Sequence, residues 1–173
     1  MSKVIKYSIF ETSWGYFGLA GIEKGLLRTQ LPTIDCEKLK SRLLNNVLYS
    51  RYDKDFCKSL QLQIKAYFDD GYVDFSREIP VILDGFSEFT REVLTICREI
   101  RFGETRSYSQ LADLTGRHGS VRAVGGALAR NRLPLIIPCH RVIYANGKVG
   151  GFSASGGVEL KARLLRYEQE LRR

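Results

Sequence analysis

The spacing of apolar residues changes character along the chain. From Lys6 to Leu31, β-branched and aromatic residues are mixed with glycine turns, which suits a short antiparallel meander. Two helical stretches follow, roughly Asp35–Leu48 and Lys54–Phe68. In the second, Phe56, Leu60, Ile64, Tyr67 and Phe68 recur at helical spacing. Residues Asp69–Phe86 are turn-rich, with Pro80, Gly71 and Gly85, and the pattern lapses there. A domain boundary is expected in that segment, between an N-terminal α+β domain over residues 1–80 and a second domain over residues 86–173.

The second domain reads as mostly helical. A helix opens at Ser87 and runs through Ile100, with Phe89, Val93, Ile96, Cys97 and Ile100 on one stripe, and Gly103 stops it. Ser107 stands three residues before Gln110, the capping-box spacing, ahead of a short helix ending at Gly116. Another helix runs from about Ser120 to Asn131, so the order helix, tight turn, helix predicts a helix-turn-helix. Helical residues advance by about 100° each, which puts Val121, Val124 and Leu128 on an inward face. Arg122, Gly125, Gly126, Ala129 and Arg130 fall opposite. Two glycines inside a helix cost about 1 kcal/mol each relative to alanine. Either a DNA backbone approaches that face closely, or a neighbouring helix packs tightly on it. The last helix, roughly Gly157–Leu171, turns Leu164, Leu165, Leu171 and Glu168 inward. A buried carboxylate needs a partner. His140 is one candidate, and an ion pair with Arg141 is the structural alternative. The fold class is mixed α/β (α+β).

Composition narrows the setting. In 173 residues, 44% are hydrophobic and 27% charged, an ordinary globular balance with no apolar run of membrane length and no signal-peptide core. The cytoplasm is expected, or the nucleus in a eukaryote. The four cysteines, Cys36, Cys57, Cys97 and Cys139, include no C-x-x-C pair, and the only histidines are His118 and His140. That argues against a disulfide framework and a zinc site, and nothing calls for a metal or cofactor. The net charge is +8, unevenly spread. Residues 1–85 hold 12 basic and 11 acidic side chains (net +1), residues 86–173 hold 15 and 8 (net +7). A basic second half suits a polyanion partner.

The candidate chemistry lies in Leu133–Gly157. An apolar run, Leu133–Ile137, leads into Pro138-Cys139-His140-Arg141-Val142. A lone Cys-His pair is a weak signal, since neighbouring side chains point in different directions. This one has more around it. With GETRSYSQLA, SVRAVGGALARN and LPLIIPCHRVI in order from about Phe86 to Glu168, the chain resembles the O6-alkylguanine-DNA alkyltransferases. The N-terminal half is similar only in size and character, and lacks the zinc ligands some members carry there.

The resemblance implies a ribonuclease H-like N-terminal domain and a C-terminal domain that repairs DNA directly. Cys139 is the implied acceptor, activated by His140 and Glu168 through a bound water, with Asn131 bracing the turn into the active segment. Tyr108 presses on the target phosphate and donates to N3 of the guanine. Arg122 replaces the extruded base in the stack, on a DNA-binding helix that also presents Ser120, Ala123, Gly126, Ala129 and Arg130. Leu128, Val142, Phe152, Ser153 and Ser155 bound the pocket, and the backbone of Cys139 and Val142 reads the guanine edge. Phe152 stands where many members have tyrosine, and the loop after it is longer than in several of them.

This chemistry fits the residue types. An O6-alkyl carbon needs a soft nucleophile, and a thiolate suffices where a serine hydroxyl would not. Free cysteine titrates at about 8.5 and needs an electrostatic partner to ionise at neutral pH. The thioether product has no simple way back, so one turnover per molecule is expected. Inside a duplex the base is inaccessible and must be extruded. The expected partner is double-stranded DNA carrying O6-alkylguanine, bound by a monomer; O4-alkylthymine as substrate and cooperative binding stay open. A helix-turn-helix regulator, a damage sensor and a cysteine hydrolase are the alternatives. The first does not need the Cys-His-Glu set, the second lacks the acceptor cysteine, and the third needs an oxyanion hole that no motif suggests.

Overall fold

Three strands, β1 (Ile5–Thr12), β2 (Gly15–Ile22) and β3 (Gly25–Thr33), form the meander in the computed structural model, which describes residues 4–75 and 77–172. Each hairpin is antiparallel, with Phe10 facing Phe17 and Leu19 facing Thr29. A short strand, β4 (Ser50–Tyr52), adds in parallel beside β1, giving the order β3-β2-β1-β4. Helix α1 (Cys36–Leu43) packs on β2 and β3, and α2 (Lys58–Phe68) on β1. Phe17, Leu19, Leu31, Leu39, Leu43, Ile64, Tyr67 and Phe68 fill this core. The buried Gln61 amide is satisfied by Ser8 Oγ at 3.0 Å and the Phe56 carbonyl at 2.9 Å.

Both helices are shorter than the apolar spacing suggests. The Asp35 side chain caps α1 through the Lys38 N–H at 2.9 Å, but the helix stops at Leu43, not Leu48. Asn46 lies just beyond it in the left-handed region, at φ +58°. Helix α2 starts at Lys58, not Lys54. Asp53 accepts the Asp55 N–H at 3.1 Å in a local turn, and Cys57 takes φ +54° before the helix begins. At the start of α2, side-chain capture of a nearby N–H competes with the helix.

The chain divides into two compact units, Met1–Ile82 and Leu83–Arg173. In the second, Ser87 caps α3 (Glu88–Arg98) through the Thr90 N–H at 3.2 Å. A two-residue strand, β5 (Arg106–Ser107), leads into α4 (Tyr108–Leu114), and a tight turn separates it from α5 (Val121–Ala129). The capping box is complete: Ser107 Oγ accepts the Gln110 N–H at 3.0 Å, and Gln110 Oε1 accepts the Ser107 N–H at 2.7 Å. A single 3₁₀ turn, Cys139–Arg141, runs into β6 (Val142–Ile143), which pairs in parallel with β5. The 16-residue α6 (Gly157–Arg172) closes the unit and packs on the 3₁₀ turn, while α3 lies against α4 and α5.

On α5, Val124, Ala127 and Leu128 form the buried stripe, and Val121 is only half-buried. Of the two readings of its glycines, packing finds no support. A Cβ on Gly126 would meet nothing within 4 Å, and one on Gly125 only the Tyr108 ring, at 4.0 Å. Among the described residues, no helix is long and apolar enough to cross a membrane, and no cluster of His, Cys, Asp and Glu could hold a metal ion.

Candidate active site

The segment after α5 is held by one amide. Asn131 Oδ1 accepts the Leu133 N–H at 2.9 Å, and Asn131 Nδ2 donates to the Ile137 carbonyl at 2.9 Å and to Cys139 Sγ at 3.1 Å. Between these anchors Leu135, buried, sits at φ +77°, a conformation that costs a non-glycine residue on the order of 1–3 kcal/mol. The fixed loop delivers the 3₁₀ turn with all three side chains buried: Cys139, His140 and Arg141.

Glu168 of α6 lies beneath this turn, 1% exposed, and its carboxylate receives four donors. His140 Nε2 meets Oε1 at 2.8 Å, Arg141 Nη2 meets Oε1 at 2.9 Å, Arg141 Nε meets Oε2 at 2.9 Å, and the Gly103 N–H meets Oε2 at 3.0 Å. A carboxylate offers about four lone-pair sites, so its capacity is filled. The two partners weighed from the sequence are both present, on one carboxylate. Arg141 also donates to the Ile100 carbonyl at 2.7 Å. Burial alone would push the Glu168 carboxyl up, but His140 and Arg141 hold it well below the usual carboxylate range.

Glu168 pulls the His140 imidazole toward its protonated form, but burial outweighs that pull and lowers the imidazole pKa below its ordinary value, and the Arg141 and Lys161 charges lower it further. Burial thus favours the neutral imidazole even with Glu168 beside it. Its tautomer follows: an ionised Glu168 only accepts, so Nε2 carries the proton and Nδ1 presents its lone pair. Nδ1 is buried and has no hydrogen-bond partner among the described residues. The Cys139 thiol is pushed up by burial; the Asn131 amide, Lys161 and the backbone N–H groups of Cys139 and His140 partly offset this.

Cys139 sits in a pocket of about 520 Å³. Of the residues expected to bound it, Leu128, Phe152 and Ser153 line it with Cys139, joined by Tyr108, Arg122 and Ala129. Val142 and Ser155 do not. Val142 is fully buried in the β5–β6 pair. At the backbone expected to read a guanine edge, the Cys139 N–H bonds the Ile137 carbonyl at 2.8 Å and the Val142 N–H bonds the Cys139 carbonyl, so such reading would fall to the carbonyl oxygens. Ala123, Gly126 and Arg130 are exposed along α5, with Ser120 half-buried at its start.

Two residues were missed. Lys161, 1% exposed, lies one turn before Leu164 and Leu165 on the inward face of α6. It donates to Tyr108 Oη at 3.2 Å and to the Gly151 carbonyl at 3.3 Å, and no carboxylate among the described residues pairs with it. Burial lowers its pKa, and the Cys139 and Cys97 thiols raise it again. Because Lys161 occupies the oxygen of Tyr108, the phenolic proton is free to point elsewhere. Burial first, then Tyr144, pushes that phenol up to about 12, so it remains a donor. Tyr144 is the second missed residue, a half-exposed pocket-lining side chain.

Residues 88–170 match the family model described as the 6-O-methylguanine DNA methyltransferase DNA-binding domain. Over nearly the whole chain, the sequence is 34% identical to the methylated-DNA–protein-cysteine methyltransferase of Cricetulus griseus, covering 95% of this chain and 82% of that one. The chain belongs to the methylated-DNA–protein-cysteine methyltransferase family. Another member, from Sulfurisphaera tokodaii, is 38% identical, with 95% and 94% covered. Among solved structures, Mycobacterium tuberculosis OGT in complex with DNA superposes with a TM-score of 0.78 at 30% identity, covering 96% of this chain and 94% of that one.

For a methyltransferase of this family, the wall opposite α5 can be tested. A Cβ built on Gly150 would fall 2.8 Å from Tyr108 Cε2 and closer still to its Oη. Gly150→Ala is expected to push Tyr108 off Lys161 and slow alkyl transfer at least about tenfold, because the donor leaves its aligned position. Single-turnover rates check this, and an unchanged rate would show that the Tyr108–Lys161 contact is dispensable.

Proposed function

We propose that Cys139 is the cysteine this methyltransferase alkylates, and that it takes the group from O6 of a guanine turned out of duplex DNA, once per molecule. The observation that carries this lies at the pocket: the Cys139 thiol is held by the Asn131 amide and is followed in the same turn by a buried imidazole, His140, hydrogen-bonded to the Glu168 carboxylate. His140 Nδ1 accepts the Cys139 proton through an intervening water, and the cation formed is stabilised by Glu168. Sulfur attacks the alkyl carbon as the carbon–O6 bond breaks, and the electron pair stays on the guanine. The Tyr108 hydroxyl donates toward N3 as charge builds on the ring. In sum the thiol hydrogen is replaced by the alkyl group and guanine gains a proton. No base in the site can reverse a thioether, so the protein is consumed.

DNA lies along the small-residue face of α5, where Ala123, Gly126 and Arg130 are exposed and a phosphate backbone meets no Cβ at Gly126. Arg122, exposed and lining the pocket mouth, fills the stack from the minor-groove side. Affinity is mainly phosphate-driven and falls with salt, as suits a protein that must bind any sequence. Incubation with duplex DNA labelled in the O6-methyl group should leave one label per chain. Arg122→Ala is expected to slow repair of the duplex about tenfold or more, while its reaction with free O6-benzylguanine stays near wild type. Equal losses on both substrates would remove the stacking role.

A further inference from the structure

Tyr144 touches no reacting atom in the chemistry above, yet it stands at the pocket. Its ring centroid is 5.2 Å from that of Tyr108, with the planes inclined at 46°. The two tyrosines differ in depth. Tyr108 is 7% exposed and Tyr144 48% exposed, while Cys139 at the foot is 7% exposed. Tyr144 also borders a second, smaller groove of about 290 Å³ with Thr105, Gln110 and Gly147, so its ring is the ridge between the two depressions. The ridge is fixed by a backbone turn. Tyr144 N–H donates to the Lys148 carbonyl at 2.9 Å, and Gly147 N–H returns to the Tyr144 carbonyl at 2.9 Å. The Lys148 N–H is in turn held by Asn146 Oδ1 at 3.1 Å. A half-exposed aromatic ring thus rises from a backbone set by its own turn and rests against the Tyr108 ring.

Depth assigns the ring its neighbour. If Cys139 is the acceptor, O6 must enter the pocket first, and the sugar-bearing edge of the purine must stay at the mouth. We infer that Tyr144 packs against the deoxyribose of the extruded nucleotide and so makes the protein prefer a nucleoside over a free base. This rests on the acceptor reading above. The apolar face of a furanose covers an aromatic ring well, and the ring loses little freedom because its turn is already set. The Tyr144 hydroxyl, without a hydrogen-bond partner among the described residues, is secondary to this contact.

The test uses the full chain with Tyr144→Ala and Tyr144→Phe and three substrates: an oligonucleotide duplex containing O6-methylguanine, O6-benzyl-2′-deoxyguanosine, and free O6-benzylguanine. Tyr144→Ala is expected to lower the single-turnover rate constant (kinact/KI for the small substrates) about threefold to tenfold more on the duplex and the nucleoside than on the free base. Tyr144→Phe keeps the ring and should keep the wild-type ratio between nucleoside and free base. Thermal melting of both variants shows whether the fold survives; if Tyr144→Ala unfolds, Tyr144→Leu replaces it with the same expectation. Equal loss on the free base and the nucleoside, or no loss on either, overturns the role of Tyr144. Absence of transfer by the wild-type protein on every substrate instead overturns the acceptor reading itself.

Discussion

Replacing Cys139 by alanine or serine is expected to abolish alkyl transfer while leaving binding to O6-methylguanine DNA intact. The loss should be total within detection, because the other cysteines cannot substitute. Cys97 is fully buried, with a thiol that burial pushes well above the usual range, and Cys36 and Cys57 are on the other compact unit. A serine hydroxyl in the same place would be too poor a nucleophile toward an alkyl carbon, even with the imidazole behind it. Peptide mapping by mass spectrometry after reaction should find the adduct on Cys139 alone, and an adduct on any other cysteine would refute the assignment. Gel-shift titration of both variants checks that DNA binding is retained.

The second large effect belongs to Glu168. Because its carboxylate receives four donors, Glu168→Gln is expected to weaken the fold as well as the chemistry. The substitution strands the buried Arg141 charge, which costs about 3–5 kcal/mol, so Tm should fall by roughly 10 °C or more. A glutamine can also turn its amide toward His140 Nε2 and force the proton to Nδ1, removing the base. Transfer should then slow on the order of 10²-fold below the new Tm. His140→Ala should slow it comparably, and the double variant should be little worse than either single one, since the pair acts as a unit. Additive rate losses would show that Glu168 is structural only.

The same network sets a pH dependence of stability. The folded-state pKa values of His140 and Glu168 both lie below their ordinary values of about 6.5 and 4.3. In that range the unfolded chain binds protons first, so stability is fully present above about pH 6.5 and is lost as the pH falls. Urea titrations between pH 8 and 4 should show this decline, and the His140→Ala variant should lose its upper part.

Much of this was legible in the sequence because it rests on local rules. The Ser107–Gln110 capping box, the meander and the inward turn of Glu168 follow from spacing alone. Other features depend on distant partners. Strand β4 is exposed at all three residues and exists through parallel pairing with β1, so no alternation marks it. Lys161 falls on the same stripe as Leu164, Leu165 and Glu168, but lysines are ordinarily solvated and its burial is explained by the distant Tyr108 oxygen and Gly151 carbonyl. The direction of the His140 shift could not be read because it is set first by burial, which outweighs the neighbouring carboxylate, and then by the Arg141 and Lys161 charges. Tyr144 sits in a loop whose turn has no apolar period to betray it.

Glu168 also joins stretches of chain that are far apart in sequence: Gly103 lies 65 positions away and His140 lies 28. The Gly103 amide proton is therefore shielded only while α6 is docked and the carboxylate is in place. Its hydrogen-exchange rate becomes a spectroscopic gauge, readable at a single backbone position and without any substrate, of whether the buried charge network stands assembled.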